Sequence, residues 1–319
     1  MKLFSFIFTL LLFTIGCNDV TSQQTTNEIK IDREQLMRDV QILSDDYFEG
    51  RKTDSRGGFL GQGYVIGRFS SIGLSRFSET FTQPFEALNQ RSGEEFKYAA
   101  NVLGYVEGTE NPDQYIVVTS HFDHLGVRNG EIYNGADDNA SGVGGMLAAA
   151  DWFVKNPPKN TIIFLSFDAE EQGLSGARYF IDNPVVPLES IIMNVNMDMI
   201  SLNEKIEIYA AGTYHYPYLK PIIENATNDA LISVLFGHDS PDLPPGDDWT
   251  MSSDHGPFHA VGIPFIYFGV EDHPYYHSPM DVFENIKPDF YYNAVNTIIK
   301  VIDSFDNEAE EIKNLSGRF

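Results

Sequence analysis

The sequence predicts an α/β fold with a mostly parallel central sheet and helices on both faces. Three observations predict it. Residues 161–167 (TIIFLSF) form a continuous apolar run instead of an alternating one, the pattern of a strand covered on both sides. Residues 115–120 (YIVVTS) and 190–199 repeat that character, the first with strong β-branching. Between these runs lie segments of helical periodicity, and such alternation gives a parallel sheet.

Taken in order, Asp32 caps a first helix, with Gln35 three positions later as its reciprocal partner. Leu36, Met37, Val40 and Leu43 give that helix an apolar face through about Ser44. Residues 47–51 (YFEGR) read as a turn. Residues 57–73 place Phe59, Leu60, Val65, Ile66 and Phe69 at mostly helical spacing, interrupted by glycines. Residues 81–85 and 98–106 read as strands around a polar hairpin, and 115–120 as a central strand. The alanine-rich run 142–153 reads as a helix, stopped by Pro157 and Pro158. After the strand at 161–167 come a helix at 174–180, a strand at 190–199 and a short strand at 205–209. A helix at 218–229 and a turn-rich loop at 240–248 follow. Ser252 precedes a short helix, 263–268 is a strand, and 290–305 is a closing helix. There is no internal repeat and no clear linker, so residues 31–319 read as one domain.

The 319 residues are 42% hydrophobic, enough for a sizeable core. A net charge of -25 argues against nucleic acid as a partner, since phosphate binding needs a basic face. The same negative field attracts cations. Lys2, the apolar run 3–15 and Gly16 before Cys17 have the layout of an export signal. Gly16 with Cys17 resembles a bacterial lipobox, although Thr14 departs from its usual pattern. Residues 1–17 therefore read as a signal peptide and 18–30 as a flexible tether. A lipid on Cys17 would attach the protein to a membrane of the cell envelope. Ordinary secretion and an uncleaved anchor are the alternatives, and the run is short for a full span. With a single cysteine there is no internal disulfide.

Five segments place polar residues at strand ends or in the loops beyond them: SHFDH at 120–124, NGADDNASG at 134–142, Glu170 with Glu171, NMDM at 196–199 and YHSP at 276–279. In open α/β sheets, sites form outside the carboxyl ends of strands. Histidine with carboxylate is the donor set of zinc or a related divalent ion. Neighbouring residues at a strand end point in different directions. One glutamate can then bind metal while the other faces substrate and takes a proton from water. Singly, each segment also has a structural reading: a hydrogen-bonded turn, a helix cap, solvated surface. Jointly they favour a site.

The ordered set HFDH, GADDNASG, DAEEQGLSGA, NMDMI, SSDHGPF and YHSPMD resembles the di-zinc aminopeptidase family, metallopeptidase family 28. That family includes bacterial leucine aminopeptidases and, more distantly, glutamate carboxypeptidase II. The segment LMRDVQILSDDYFEGR is also similar to bacterial members. The resemblance implies a zinc-exopeptidase (phosphorylase/hydrolase-like) fold and two zinc ions. It implies that His121 and Asp198 bind one ion, Glu171 and His277 the other, and that Asp138 bridges them. Asp138 is preferred to Asp137 because the bridging residue stands three before the serine of the SG pair, here Ser141. Glu170 would be the general base acting on a metal-bridging water, and Asp123 would orient His121. Asp254 would support the site, and Tyr276 would help polarise the carbonyl oxygen. The Asp138-Asn139 peptide is expected to be cis. His124, His215, His238, His259 and His273 read as turn or surface residues, and Asp247 and Asp248 as loop charges.

The leading expectation is an exported aminopeptidase acting on peptides with a free N-terminus. Glutaminyl cyclases share the fold but use one zinc, so the presence of His121 favours two metals and hydrolysis. A carboxypeptidase would use the same metal site. A non-catalytic binding ectodomain should carry broken ligands, and none is broken here.

Overall fold

The computed structural model describes residues 29–244 and 246–318. The export signal and nearly all of the tether lie outside the described residues. The described residues build ten strands, β1 (Thr82–Leu88), β2 (Glu95–Val106), β3 (Asn111–His121), β4 (Gly126–Arg128), β5 (Glu131–Tyr133), β6 (Asn160–Phe167), β7 (Ile191–Met197), β8 (Glu207–Ala211), β9 (Ser233–Leu235) and β10 (Phe265–Gly269). Eight of them form one sheet in the order β1-β2-β6-β3-β7-β10-β8-β9, while β4 and β5 make a separate hairpin. The four central strands β6, β3, β7 and β10 run parallel. Antiparallel pairing begins at β2 on one side and at β8 on the other.

Every residue of β6 and β7 is buried, as continuous apolar runs require. Successive side chains of β6 point to opposite faces. Ile162 and Phe164 join a large cluster with α1 (Arg33–Leu43), α2 (Arg56–Ile72), α3 (Gly142–Lys155), α5 (Lys220–Ala226) and α7 (Pro288–Asn307). Ile163, Leu165 and Phe167 join a second cluster with Ala177 and Phe180 of α4 (Ser175–Asp182) and Phe258 of α6 (His255–Ala260). The sheet is thus covered on both faces.

Several local expectations change. Asp32 caps α1 by accepting from the Gln35 amide at 3.0 Å, but the Gln35 side chain bonds Asp39 instead of returning to the cap. The glycines that weaken the helical pattern of α2 are needed for packing: a Cβ on Gly57 would lie 2.0 Å from the Phe48 carbonyl oxygen, and one on Gly58 2.3 Å from that of Lys52. The helix expected at 218–229 is only Lys220–Ala226, and the strand expected at 205–209 lies at Glu207–Ala211. The β4–β5 hairpin, β9 and the last helix α8 (Ala309–Ser316) have no counterpart in the sequence reading. The three strands have three residues each, too short for a period to register.

Candidate metal centre

The four parallel strands end on the same edge of the sheet. His121 is the last residue of β3, Glu170 and Glu171 follow β6, Asp198 follows β7, and His277 lies in the loop after β10. Asp138 arrives from the turn Ala136–Ser141 that leads into α3. All six line one cleft of about 1120 Å³.

Asp138 spans the centre. Its Oδ1 lies 3.5 Å from His121 Nε2, which is 3.4 Å from Asp198 Oδ1. Its Oδ2 lies 3.1 Å from His277 Nε2, which is 3.5 Å from Glu171 Oε1. Asp137 turns away: its Oδ1 accepts from the Ser201 amide and hydroxyl, and its Oδ2 lies 3.0 Å from His273 Nε2. The Asp138-Asn139 peptide is cis, as the motif implied. Asn139 locks the turn to β7 by donating to the Met197 carbonyl and accepting from the Gly142 amide.

The donor set fits a metal. Two groups of nitrogen and carboxylate atoms, His121 with Asp138 and Asp198, and His124 with Asp138 and Glu171, each lie within 4.8 Å of one another. Asp198 Oδ1 and Glu171 Oε1 are buried and have no hydrogen-bond partner. Buried polar atoms without partners are costly, and a coordinated cation removes that cost. Mixed nitrogen and oxygen donors suit zinc.

His124 is not the turn or surface residue expected from sequence. It is fully buried, and its Nδ1 lies 3.0 Å from Glu171 Oε1. Asp123 also differs from expectation. The His121 Nδ1 sits 3.1 Å from the main-chain carbonyl of Asp123, while the carboxylate is farther, at 3.7 Å. That carboxylate accepts from the amides of Glu170, at 3.0 Å, and Glu171, at 3.3 Å. Asp123 therefore orients the glutamate pair with its side chain and His121 with its backbone. Asp123→Asn is expected to lower kcat/KM by about 10–100-fold, the usual size of such supporting contacts, with kinetics of the purified variant as the check.

The two glutamates occupy different electrostatic settings. Glu170 keeps some surface on the cleft, but the surrounding protein desolvates it and raises its pKa well above the carboxylate range. His121 opposes that rise, and Asp254, Glu171 and Asp198 add to it. Burial would raise Glu171 too, yet the close approach of His124 and His277 prevails and holds it low. Burial would lower His277, but Asp138 and Glu171 push it up to about 10. Glu171 thus behaves as a paired anion and Glu170 as a carboxyl able to hold a proton. Asp254 is buried with neither carboxylate oxygen partnered, and its pKa is raised, mainly by burial. Tyr276 stacks on His277 with ring centroids 3.9 Å apart, which fixes the exposed imidazole.

Two anchors escaped the sequence reading. Arg51 is fully buried and donates to four carbonyls: Phe122 beside the histidine loop, Asn134 and Gly135 before the Asp138 turn, and Leu43. Asp281 accepts from the amides of Asp137 and Asp138 at 2.8 and 3.0 Å, tying the His277 loop to the same turn. The YFEGR and YHSPMD segments were the available signals. His215 and His259 meet Thr250 and Tyr216, and His238 stacks on Trp249, outside these groups.

Histidines and carboxylates gathered at the carboxyl edge of such a sheet, with Asp138 shared between two groups, form a candidate centre for divalent metal ions. The chain belongs to peptidase family M28, whose model matches residues 101–302. It is 30% identical over 238 residues to aminopeptidase YwaD of Bacillus subtilis, covering 70% of this chain and 48% of that one. It is 28% identical over 231 residues to a glutamate carboxypeptidase 2 homolog of Caenorhabditis briggsae, covering 62% and 28%. The chain thus spans about half the length of the first relative and less of the second. Among solved structures, a Zn-dependent exopeptidase from Parabacteroides distasonis superposes with TM-score 0.68 at 18% identity, covering 86% of this chain and 99% of that one. A glutaminyl cyclase from Bacteroides thetaiotaomicron superposes with TM-score 0.69 at 18% identity, covering 87% and 99%. At such identities the likeness speaks for the fold.

Proposed function

We propose that this protein is an exported di-zinc aminopeptidase that removes N-terminal residues from peptides. The observation that carries the reading is the division within the glutamate pair: Glu171 is drawn into a cluster with Asp138 and His277, and Glu170 lines the same cleft without joining either metal-binding group. His121, Asp138 and Asp198 would hold one ion, and Asp138, Glu171 and His277 the other. Zinc there would polarise the scissile carbonyl and make a water nucleophilic near neutral pH. Glu170 accepts that water's proton as the oxygen attacks the carbonyl carbon. It then gives the proton to the departing amine as the carbon–nitrogen bond breaks. Asp123 holds the main chain of Glu170 in place during both transfers. The Tyr276 phenol, kept protonated by burial and by Asp138, is a donor at the cleft wall toward the carbonyl oxygen.

Lys2, the apolar run 3–15 and Cys17 support export and lipid attachment in the cell envelope. Cyclase chemistry on this fold is the competing reading, and the His121–Asp138–Asp198 group supports two metals over one. The test is a panel of free peptides, N-acetylated peptides and peptides beginning with glutamine, followed by mass spectrometry. Stepwise loss of N-terminal residues from the free peptides alone, abolished by a zinc chelator and restored by zinc, is the expected result. Loss of ammonia from the glutaminyl peptides without hydrolysis, or trimming from the carboxyl end, would overturn it.

A further inference from the structure

We infer that His124 is an additional ligand of the metal held by Asp138 and Glu171, an assignment that rests on the two-metal reading above. His124 stands three residues after His121, on the loop that leaves β3. Its side chain is completely buried. Both ring nitrogens are without a hydrogen-bond partner. A neutral imidazole carries one donor and one acceptor, so a histidine serving only to fill space would leave both unsatisfied. Coordination through Nδ1 leaves only Nε2 unpartnered.

The surroundings of Nδ1 point the same way. It lies 3.0 Å from Glu171 Oε1 and 3.7 Å from Asp138 Oδ2, the same two oxygens that His277 Nε2 approaches. The contact with Glu171 is short, yet Nδ1 and Oε1 are both unpartnered, because the ring N–H and the oxygen are not aligned for a hydrogen bond. Two donor atoms that approach without bonding each other are what ligands of one cation look like.

Room for the ring is built into the chain. Gly135 adopts φ +58, and a Cβ there would lie 2.6 Å from His124 Cδ2 and Cγ. Arg51 holds the Gly135 carbonyl at 2.8 Å, fixing that backbone over the imidazole. The consequence is a division between the two histidines. His277 is 40% exposed on a loop, whereas His124 is rigidly enclosed. His124 is thus the enclosed ligand of this ion and His277 the one at the cleft mouth, and the site has four protein ligands instead of three.

The test combines zinc-edge X-ray absorption on the zinc-loaded protein with chelator competition on His124→Gln. The absorption spectrum should fit the imidazoles of His121, His124 and His277 shared between two ions. His124→Gln should lose one imidazole contribution and bind one of the two ions about 10–100-fold more weakly, with circular dichroism unchanged. Imidazoles of only two histidines in the wild-type spectrum, or unchanged affinity in a folded His124→Gln, would overturn the assignment. Should that variant fail to fold, the wild-type spectrum decides alone. A wild-type protein that takes up no zinc would instead overturn the proposed function, so the two failures are distinguishable.

Discussion

Glu170→Gln is expected to keep its full complement of zinc and to lose about 10²–10⁴-fold in kcat, the range that a positioned proton-transfer group supplies. The amide is nearly the same shape as the carboxyl, so the cleft should be unchanged. What it removes is the proton-transfer role proposed for Glu170. Asp138, Glu171 and the histidines are committed to the clusters, while Glu170 has a pKa raised by desolvation and by its acidic neighbours. Glu171→Gln should behave differently. Glu171 Oε1 is a buried anion held low by two histidines, so the amide should weaken one zinc site and leave the other. Metal analysis beside steady-state kinetics separates the two variants. Equal metal loss in both would refute the division of roles.

Arg51→Met should destabilise the folded protein by about 3–5 kcal/mol, the cost typical of removing one partner from a buried charged network. The side chain is fully enclosed, and its guanidinium is lowered to about 10, chiefly by burial, against the opposing pull of Asp281, Asp138, Asp123 and Glu171. It therefore stays charged at neutral pH and offsets the acids gathered above it. Its four carbonyl contacts also join the loop after β3 to the turn before α3, which together carry His121, Asp123, His124 and Asp138. Methionine fills much of the volume but leaves these carbonyls without their donor. Arg51→Lys should recover little, since an ammonium cannot match the planar fork that reaches all four. Urea unfolding measures the effect, and a loss below about 1 kcal/mol, the scale of an ordinary surface change, would contradict it.

What the sequence revealed and what it hid follow from the range of the interactions. The runs in β3, β6 and β7 were legible because burial on both faces demands continuous apolar residues. Glu170, Glu171 and Asp198 were legible because polar groups just past such runs need a reason to be there, and Asp138 because its motif before α3 resembles the family's. Arg51 was not, because its partners lie 8 to 84 residues away and are all main-chain carbonyls, which leave no mark on residue type. His124 was misread for a related cause. In HFDH it looks like the polar end of a turn, and only the fold shows that Gly135 and Glu171 enclose it. Asp123 was read as orienting His121, but its carboxylate serves the amides of Glu170 and Glu171, and spacing alone cannot tell a side-chain contact from a backbone one.

The proposed function stands or falls with a pair of zinc ions bridged by Asp138. Anomalous X-ray scattering measured on either side of the zinc edge, from crystals of zinc-loaded protein, tests it most directly. Two zinc peaks are expected, one among His121, Asp138 and Asp198 and one among Asp138, Glu171 and His277. A single peak confined to the Glu171 side, or no zinc signal at Asp138, would contradict it.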